Sequence, residues 1–159
     1  MRTFIACLFA ALALLAPDLA QARGELVPIN GYRPGDIIVQ TGARQLYYVV
    51  GNGQAIRYPV GVGRAGMAWH GRAYVARKLV RPAWTSRPGV TPTIPGGDPR
   101  NPMGEAVLGL DRGNYAIHGT NDPSSIGGFV SHGCIRMYNA DVVDLFRRVG
   151  IGTEVFVLQ

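Results

Sequence analysis

A single cysteine with histidines near it in sequence is the feature of this chain that could do chemistry. Cys134 lies in the heptapeptide Ser131–Met137, of sequence Ser-His-Gly-Cys-Ile-Arg-Met, and His118 precedes it by sixteen residues. A thiol is a useful nucleophile only as the thiolate, so it needs a lowered pKa or a base beside it. Neutral histidine is the side chain best suited to be that base near neutral pH. The pattern favours nucleophilic chemistry at Cys134, against the alternative of a buried structural thiol beside a structural histidine.

Two glycines next to these residues fit supporting roles in such a site. Gly119 follows His118 and leaves room for a backbone carbonyl to orient the imidazole ring, as a carboxylate does in a Ser-His-Asp triad. Gly133 lets the main chain approach a substrate closely, and its N–H and that of Cys134 are candidate donors to an oxyanion. For His132 a direct role and a purely orienting role both stay open. No cysteine or carboxylate stands at a familiar ligand spacing from the histidines, so no metal site is predicted.

The N-terminus has the features of an export signal. A positively charged start precedes the apolar segment Phe4–Ala16, and the triplet Ala20–Ala22 fits the small-residue rule for cleavage. The apolar segment is too short to span a membrane. We therefore predict a signal peptide over 1–22 and export to the periplasm or cell envelope. Cys7 would leave with the signal, so Cys134 would be unpaired in an oxidising compartment, where cysteines normally form disulfides.

The distribution of charge argues against a nucleic-acid partner. The formal net charge is +6 at pH 7. The basic residues are nearly all arginine and are scattered, with no basic stripe that aromatic residues interrupt. A mild positive field would suit an anionic polymer or envelope surface, and it would serve solubility equally well.

Short apolar runs between glycines and prolines predict a sheet-rich domain. The chain has 22 glycines and 11 prolines. The runs that read as strands are Asp36–Gln40, Gln45–Val50, Ala55–Val60, Arg72–Val80, Ala106–Leu110, Asn114–His118 and Thr153–Leu158. The link Gly51-Asn52-Gly53 predicts a tight hairpin between the second and third of them. The segment 82–102, rich in proline and glycine, predicts a long loop, either a lid or binding wall or a surface excursion without a role.

One α-helix is predicted near the C-terminus. Asn139 would cap it, and Asp141 would lie in the first turn, where the helix dipole favours negative charge. Apolar residues recur at helical spacing at Val142, Leu145, Phe146 and Val149. Gly150 would end the helix. The predicted fold is therefore mostly β, sandwich-like or barrel-like, with this one principal helix packed on it.

Several segments together resemble the L,D-transpeptidase catalytic domain (YkuD-type). In chain order they are Asn101-Pro102-Met103-Gly104, Ile117-His118-Gly119-Thr120-Asn121, Ser125-Ile126-Gly127 and the heptapeptide Ser131–Met137. The resemblance covers 36–159 and makes 23–35 a lead-in. It fails at Ala68-Trp69-His70-Gly71, where many members of the family have a Thr-Pro-Thr-Gly-like segment.

The resemblance implies the fold and the roles of the site residues. It implies an L,D-transpeptidase fold in which Cys134 is the nucleophile. His118 is the proton donor and acceptor, oriented by the backbone carbonyl of Gly119. Further residues would shape the oxyanion hole or hold the substrate, namely Ser131, His132, Gly133 and Arg136. For Arg136 a structural salt bridge is the alternative.

The resemblance also implies a reaction without a metal or organic cofactor. Cys134 would attack the carbonyl of the third, diamino-acid residue of a peptidoglycan tetrapeptide stem and release D-alanine. An amine would then take the acyl group, either from a neighbouring stem, giving a 3→3 cross-link, or from an envelope protein. Carbapenem-type inhibitors would acylate Cys134. Water as acceptor would make the enzyme an L,D-carboxypeptidase, and a cysteine hydrolase of stem peptides or a non-catalytic wall-binding module stay open as alternatives.

Overall fold

The computed structural model describes residues 24–159, so the predicted signal peptide over 1–22 lies outside the described residues. Within this range the chain forms one α-helix and ten strands. They are β1 (Glu25–Pro28), β2 (Ile37–Gln40), β3 (Gln45–Gly51), β4 (Gln54–Gly63), β5 (Gly71–Val80), β6 (Ala106–Leu110), β7 (Ala116–His118), β8 (Phe129–Ser131), β9 (Ile135–Met137), α1 (Asn139–Arg148) and β10 (Glu154–Leu158), with a 3-10 turn at Pro123–Ser125. No helix in this range is long and apolar enough to cross a membrane.

Eight strands close into a barrel. Hydrogen-bonded neighbours follow the order β4, β3, β2, β10, β5, β6, β7, β9, and β9 pairs back to β4. The ten-residue length of β4 makes this closure possible, because one part of it pairs with β3 while Val60 and Gly61 pair with β9. β1, from the stretch predicted as a lead-in, and β8 also pair with β4. The prediction of a mostly β, barrel-like fold with one helix near the C-terminus is confirmed.

One cluster of buried apolar side chains joins the sheet to α1. Tyr58, Leu108 and Ile117 from three strands are fully buried in it, as are Val142 and Leu145 from the helix. Each such side chain contributes roughly 1.5–3 kcal/mol by leaving water. The predicted apolar face of α1 is confirmed, and it presses the helix onto the sheet beside β6 and β7.

The predicted hairpin is confirmed in its backbone detail. Asn52 and Gly53 have φ angles of 52° and 70°, and Gly51 pairs with Gln54 across the turn. Two positive φ angles in a two-residue loop match the right-handed twist of the flanking strands, which is why Asn-Gly is favoured there. The predicted strand at Asn114–His118 is shorter than expected and forms only at β7.

Both predicted ends of α1 were wrong in detail. The helix begins at Asn139 itself, and Tyr138 occupies the cap position without a side-chain hydrogen bond. The Asn139 amide faces away from the helix: its Oδ1 accepts hydrogen bonds from the N–H groups of Glu105 and Thr120, and its Nδ2 donates to the Thr120 carbonyl. At the other end the extended backbone of Val149 stops the helix, before the chain reaches the predicted Gly150.

A buried amide organises the predicted long loop 82–102. The described structure has no helix or strand within this segment, and its β-pairing there is an isolated bridge between Trp84 and Ile94. The prediction of a loop is therefore confirmed. Asn101 is buried, and its Oδ1 accepts a hydrogen bond from the N–H of Met103. Its Nδ2 donates to three carbonyls of the loop, those of Pro82, Ile94 and Pro95.

Two aspartates one turn apart on α1 have opposite environments. Asp141 is buried, and its Oδ2 has no hydrogen-bond partner in the described part of the chain. Burial, and to a lesser extent the charge of Asp144, raises the pKa of Asp141 to about 7. Burial would also raise the pKa of Asp144, but hydrogen bonds from Arg148 and Tyr58 outweigh burial and lower it.

We predict that Asp141→Asn stabilises the fold at alkaline pH. The pKa of Asp141 is higher in the folded protein, about 7, than the ordinary aspartate pKa of about 3.9, so its protonated form favours the folded state. That stabilisation is complete below about pH 3.9 and is lost as the pH rises through about 7, where the buried carboxyl ionises. Urea denaturation should therefore show a free energy of unfolding about 1–3 kcal/mol higher for the variant at pH 8, and little difference at pH 4. Asp144→Asn is the matched control and should lower stability at pH 8. An Asp141→Asn protein no more stable than the wild type at pH 8 would contradict the argument from burial.

Candidate active site

The parallel pairing of β7 with β9 brings together the two chain segments that carry the candidate residues. In this register Ile117 lies opposite Ile135, and His118 lies opposite Arg136. Side chains alternate along a strand, so His118 and Arg136 share a face. Cys134 directly precedes β9, and its thiol lies against the Asn114 carbonyl and the Ala116 N–H, in the chain that leads to His118. Ile117 and Ile135 face the other way and are buried in the core. The parallel pairing thus places the thiol beside the stretch of chain that ends in His118.

The surroundings of His118 fix its tautomer and its charge. The ring is buried, and its Nδ1 lies 2.6 Å from the carbonyl oxygen of Gly119. A carbonyl only accepts hydrogen bonds, so Nδ1 carries the proton and Nε2 is left as the basic nitrogen. Burial lowers the pKa of His118 to about 4, and the positive charge of Arg136 acts in the same direction, against the carbonyls of Gly119 and Pro102. The imidazole is therefore neutral at pH 7.

Asn139 aims the carbonyl that holds His118. The Thr120 N–H, which belongs to the same peptide unit as the Gly119 carbonyl, donates to Asn139 Oδ1 at 3.1 Å. Because the peptide unit is planar, holding its N–H also sets the direction of its carbonyl. A side chain at Gly119 would collide with Asn139 Oδ1, so this position requires glycine. The residue predicted as a helix cap is therefore part of the site.

The Cys134 thiol is free and partly buried. Its Sγ lies 3.9 Å from the carbonyl oxygen of Asn114. Burial raises the pKa of the thiol, and the N–H of Ala116 and the charge of Arg136 offset only part of that effect. Within residues 24–159 no hydrogen bond joins this thiol to the His118 ring. The resting site therefore holds a neutral thiol beside a neutral imidazole, and catalytic hydrogen bonds commonly tighten only once substrate is bound.

The turn before Cys134 is held by its own serine. Ser131 Oγ donates to the Cys134 carbonyl at 2.6 Å and accepts from the Gly133 N–H at 3.0 Å. Gly133 has φ 120°, and a side chain there would collide with the ring of Tyr115, so only glycine fits. The expectation of two oxyanion donors is corrected accordingly. The Gly133 N–H is already bonded within the turn, whereas the Cys134 N–H has no acceptor in the described part of the chain.

Arg136 and His132 have different surroundings. Arg136 takes part in no salt bridge among the described residues, and its buried Nε lacks a hydrogen-bond partner. The salt-bridge alternative for Arg136 is therefore wrong. His132 is exposed, and its Nε2 lies 2.6 Å from a guanidinium nitrogen of Arg64, which can only donate. His132 thus accepts a hydrogen bond from Arg64 and makes none to Cys134 or His118.

Two further aromatic residues pack against the nucleophile turn, and sequence reasoning missed both. The indole N–H of Trp69 donates to the Gly133 carbonyl at 2.9 Å, and the indole stacks on the ring of Tyr115. Trp69 lies in the segment where the chain departs from the family pattern. That difference from the family pattern was a sign that Trp69 needed explaining. Nothing in the sequence indicated that its partner would be Gly133, 64 residues away.

Comparisons with known proteins agree with this geometry. A family model described as the L,D-transpeptidase catalytic domain (YkuD) matches residues 34–157. A putative L,D-transpeptidase YqjB from Bacillus subtilis (strain 168) is 36% identical over 132 residues, which is 78% of this chain and 72% of that protein. A probable L,D-transpeptidase YbiS from Escherichia coli (strain K12) is 36% identical over 145 residues, 82% of this chain but only 46% of that protein. This chain thus spans less than half the length of the Escherichia coli relative.

A solved structure has the same fold. The catalytic domain of an Enterococcus faecium L,D-transpeptidase, determined by NMR as acylated by ertapenem, superposes with a TM-score of 0.60 at 22% identity. The match covers 80% of this chain and 99% of that one.

We predict that His118 stays neutral, with its proton on Nδ1, down to about pH 5. Burial and the Gly119 carbonyl together favour this state, since burial lowers the pKa to about 4. The chain has three histidines, so a His70→Asn/His132→Asn double variant leaves His118 as the one imidazole signal. Nitrogen-15 NMR of that variant between pH 4 and 8 measures both tautomer and ionisation. An imidazolium at pH 6, or a proton on Nε2, would show that the surroundings of the ring have been misread.

Proposed function

The chain belongs to the YkuD-type L,D-transpeptidase catalytic-domain family, and on that premise we propose that it acts on peptidoglycan stem peptides through a thioester on Cys134. One observation carries this proposal. His118 ends β7, Cys134 directly precedes the parallel strand β9 with its thiol against the chain that leads into β7, and the proton of the imidazole is held on the nitrogen that faces Gly119. This arrangement leaves Nε2 free to take the proton of the thiol.

In the first step the thiol and the imidazole react as a neutral pair. Sγ of Cys134 attacks the carbonyl carbon of the third, diamino-acid residue of a tetrapeptide stem, while Nε2 of His118 takes the thiol proton. The carbonyl oxygen becomes an oxyanion that accepts a hydrogen bond from the Cys134 N–H. When the tetrahedral intermediate collapses, His118 returns the proton to the leaving nitrogen. The C–N bond breaks, D-alanine leaves as a neutral amine, and the acyl group remains on sulfur.

Burial of both groups explains why the proton moves during the attack and not before it. A thiolate and an imidazolium would each be desolvated in the resting site, which is the state that burial opposes. General-base removal of the proton as the C–S bond forms avoids that isolated ion pair. His118 then acts as base and acid in turn, as Gly119 keeps its ring in one orientation.

Arg136 is the group we assign to a substrate carboxylate. It faces His118 across the strands and finds no carboxylate partner within residues 24–159. A half-buried guanidinium without a partner is well suited to a bidentate bond with an incoming carboxylate, and stem peptides carry several. The mild positive charge of the chain would favour the same anionic polymer.

The second step depends on which nucleophile reaches the thioester. An amine of a neighbouring stem gives a 3→3 cross-link, and an amine of an envelope protein anchors that protein to the wall. In both cases the amine adds to the carbonyl carbon and His118 takes a proton from its nitrogen. His118 then returns that proton to Sγ as the C–S bond breaks, which regenerates the thiol and the neutral imidazole. Water in place of the amine yields a tripeptide stem. No metal or organic cofactor is required, and the predicted signal peptide would deliver the enzyme to the periplasm or cell envelope.

Carbapenems should react at the same thiol. The Enterococcus faecium relative in fold is acylated by ertapenem. In this chain, attack of Sγ on the β-lactam carbonyl would break the amide C–N bond and open the ring. The nitrogen would stay in the adduct through the other atoms of the former ring. The product is one covalent adduct on Cys134.

We predict that the purified enzyme, incubated with disaccharide-tetrapeptide, releases D-alanine and forms a cross-linked dimer that mass spectrometry detects. Cys134→Ala should abolish the reaction. His118→Gln should slow it by about 10²–10⁴-fold, because general acid–base catalysis is lost. His70→Asn is the matched histidine control and should keep the wild-type rate, since this side chain is exposed and contacts the C-terminal Gln159.

The products separate the alternatives. Tripeptide without dimer would indicate a carboxypeptidase. In intact-mass spectra, no ertapenem adduct on the wild type, or an equal adduct on Cys134→Ala, would contradict the proposal. Absence of any reaction with the stem peptide as well would favour a non-catalytic wall-binding module.

A further inference from the structure

We propose that Trp69 is the positioning residue of the oxyanion hole: its indole N–H holds the Gly133 carbonyl and thereby aims the Cys134 N–H at the reacting carbonyl oxygen. This inference rests on the proposed acyl transfer at Cys134. It adds the residue that orients the donor on which that step depends.

The contact itself is short and protected from water. Nε1 of Trp69 lies 2.9 Å from the carbonyl oxygen of Gly133, and both residues are buried. An indole N–H can only donate, so the direction of this hydrogen bond is unambiguous. A buried hydrogen bond of this kind is stronger than an exposed one because no water competes for either partner.

Peptide geometry transmits that contact to the Cys134 N–H. The Gly133 carbonyl and the Cys134 N–H belong to one peptide unit, which is planar and trans. In such a unit the carbonyl and the N–H point in opposite directions. Fixing the carbonyl against Trp69 therefore directs the N–H away from Trp69. A hydrogen bond to the carbonyl also polarises the unit and makes its N–H a better donor.

Ser131 holds the peptide units before and after the Gly133–Cys134 unit, and Trp69 holds the Gly133–Cys134 unit itself. Ser131 Oγ accepts from the Gly133 N–H on one side and donates to the Cys134 carbonyl on the other. No side chain among residues 24–159 accepts a hydrogen bond from the Cys134 N–H. Two side chains thus fix three consecutive peptide units, and one N–H remains available to a substrate.

Trp69 is itself held rigidly. Its ring stacks on the ring of Tyr115 with centroids 5.2 Å apart and planes 4° from parallel, and the guanidinium of Arg112 lies 5.1 Å from its centroid. Tyr115 in turn packs against the Cα of Gly133, where a side chain would collide with it. The indole is therefore clamped between neighbours that also contact the turn it holds.

Trp69 lies outside the segments on which the family resemblance rests. It lies in Ala68–Gly71, the segment that differs from the Thr-Pro-Thr-Gly-like pattern of many members. The contact to Gly133 is thus not implied by the resemblance that identifies Cys134 and His118.

The test compares two reactions of Cys134 in Trp69→Phe. Acylation by ertapenem passes through an oxyanion, whereas alkylation by iodoacetamide displaces iodide from a saturated carbon and forms none. Phenylalanine keeps an aromatic ring beside Tyr115 but lacks the N–H. We expect acylation to slow by about 10–100-fold, less than the roughly 10²–10³-fold for outright loss of one oxyanion donor, because the Cys134 N–H is misdirected but still present; alkylation should keep its rate. Trp84→Phe, in the loop 82–102, is the matched control and should leave both rates unchanged.

The outcomes distinguish this inference from the proposed function. Unchanged acylation in a folded Trp69→Phe protein, or equal slowing of both reactions, would overturn the role of Trp69 while the function stands. A wild type that forms no adduct with ertapenem would instead overturn the proposed function, and this inference with it. If thermal melts show that Trp69→Phe is unfolded, Trp69 can be replaced by the tryptophan analogue benzothienylalanine instead. The chain has two tryptophans, so this is done in Trp84→Phe, where Trp69 is the one that remains. That analogue keeps the ring shape and has sulfur in place of the N–H, and it should slow acylation in the same way.

Discussion

The parallel register between β7 and β9 is the constraint on which the rest of the site depends. A slip by one residue would exchange the two faces of a strand, sending His118 or Cys134 into the core and an isoleucine into the site. The register is held on both sides, because β7 also pairs with β6 and β9 also pairs with β4. The closed barrel leaves neither strand with a free edge along which it could shift. Burial of Ile117 and Ile135 makes the alternative registers costly.

Two side chains refine this arrangement by the same device. Asn139 holds the N–H of the Gly119–Thr120 peptide unit and so presents its carbonyl to His118. Trp69 holds the carbonyl of the Gly133–Cys134 unit and, on our proposal, presents its N–H to substrate. Both glycines are needed because a side chain at either would collide with the group that packs on it. In each case a side chain that does not react would set the orientation of a backbone group that contacts a reacting one, the imidazole of His118 or the oxyanion.

Residue types were enough to predict a candidate site, and not how its residues are held. An unpaired cysteine, a histidine sixteen residues before it and glycines beside both indicated the site, and turn residues such as Asn52-Gly53 indicated a sheet-rich fold. Strands β8 and β9 were missed because each has only three residues and exists through pairing with distant strands. Asn139 was misassigned because an asparagine before a helix reads as a cap wherever its amide points. The hydrogen bond from the Gly133 N–H to Ser131 depends on a turn conformation that could not be predicted from the sequence.

The resting site holds a neutral thiol and a neutral imidazole, which would react only when substrate arrives. The pH dependence of Cys134 alkylation by iodoacetamide tests this most directly. The account predicts a rate that is low at neutral pH and rises only above the ordinary thiol pKa of about 8.5, because burial raises the pKa of this thiol. His118→Gln should leave the shape of that profile unchanged. A rate plateau between pH 5 and 8 that disappears in His118→Gln would show a preformed thiolate–imidazolium pair and contradict the account.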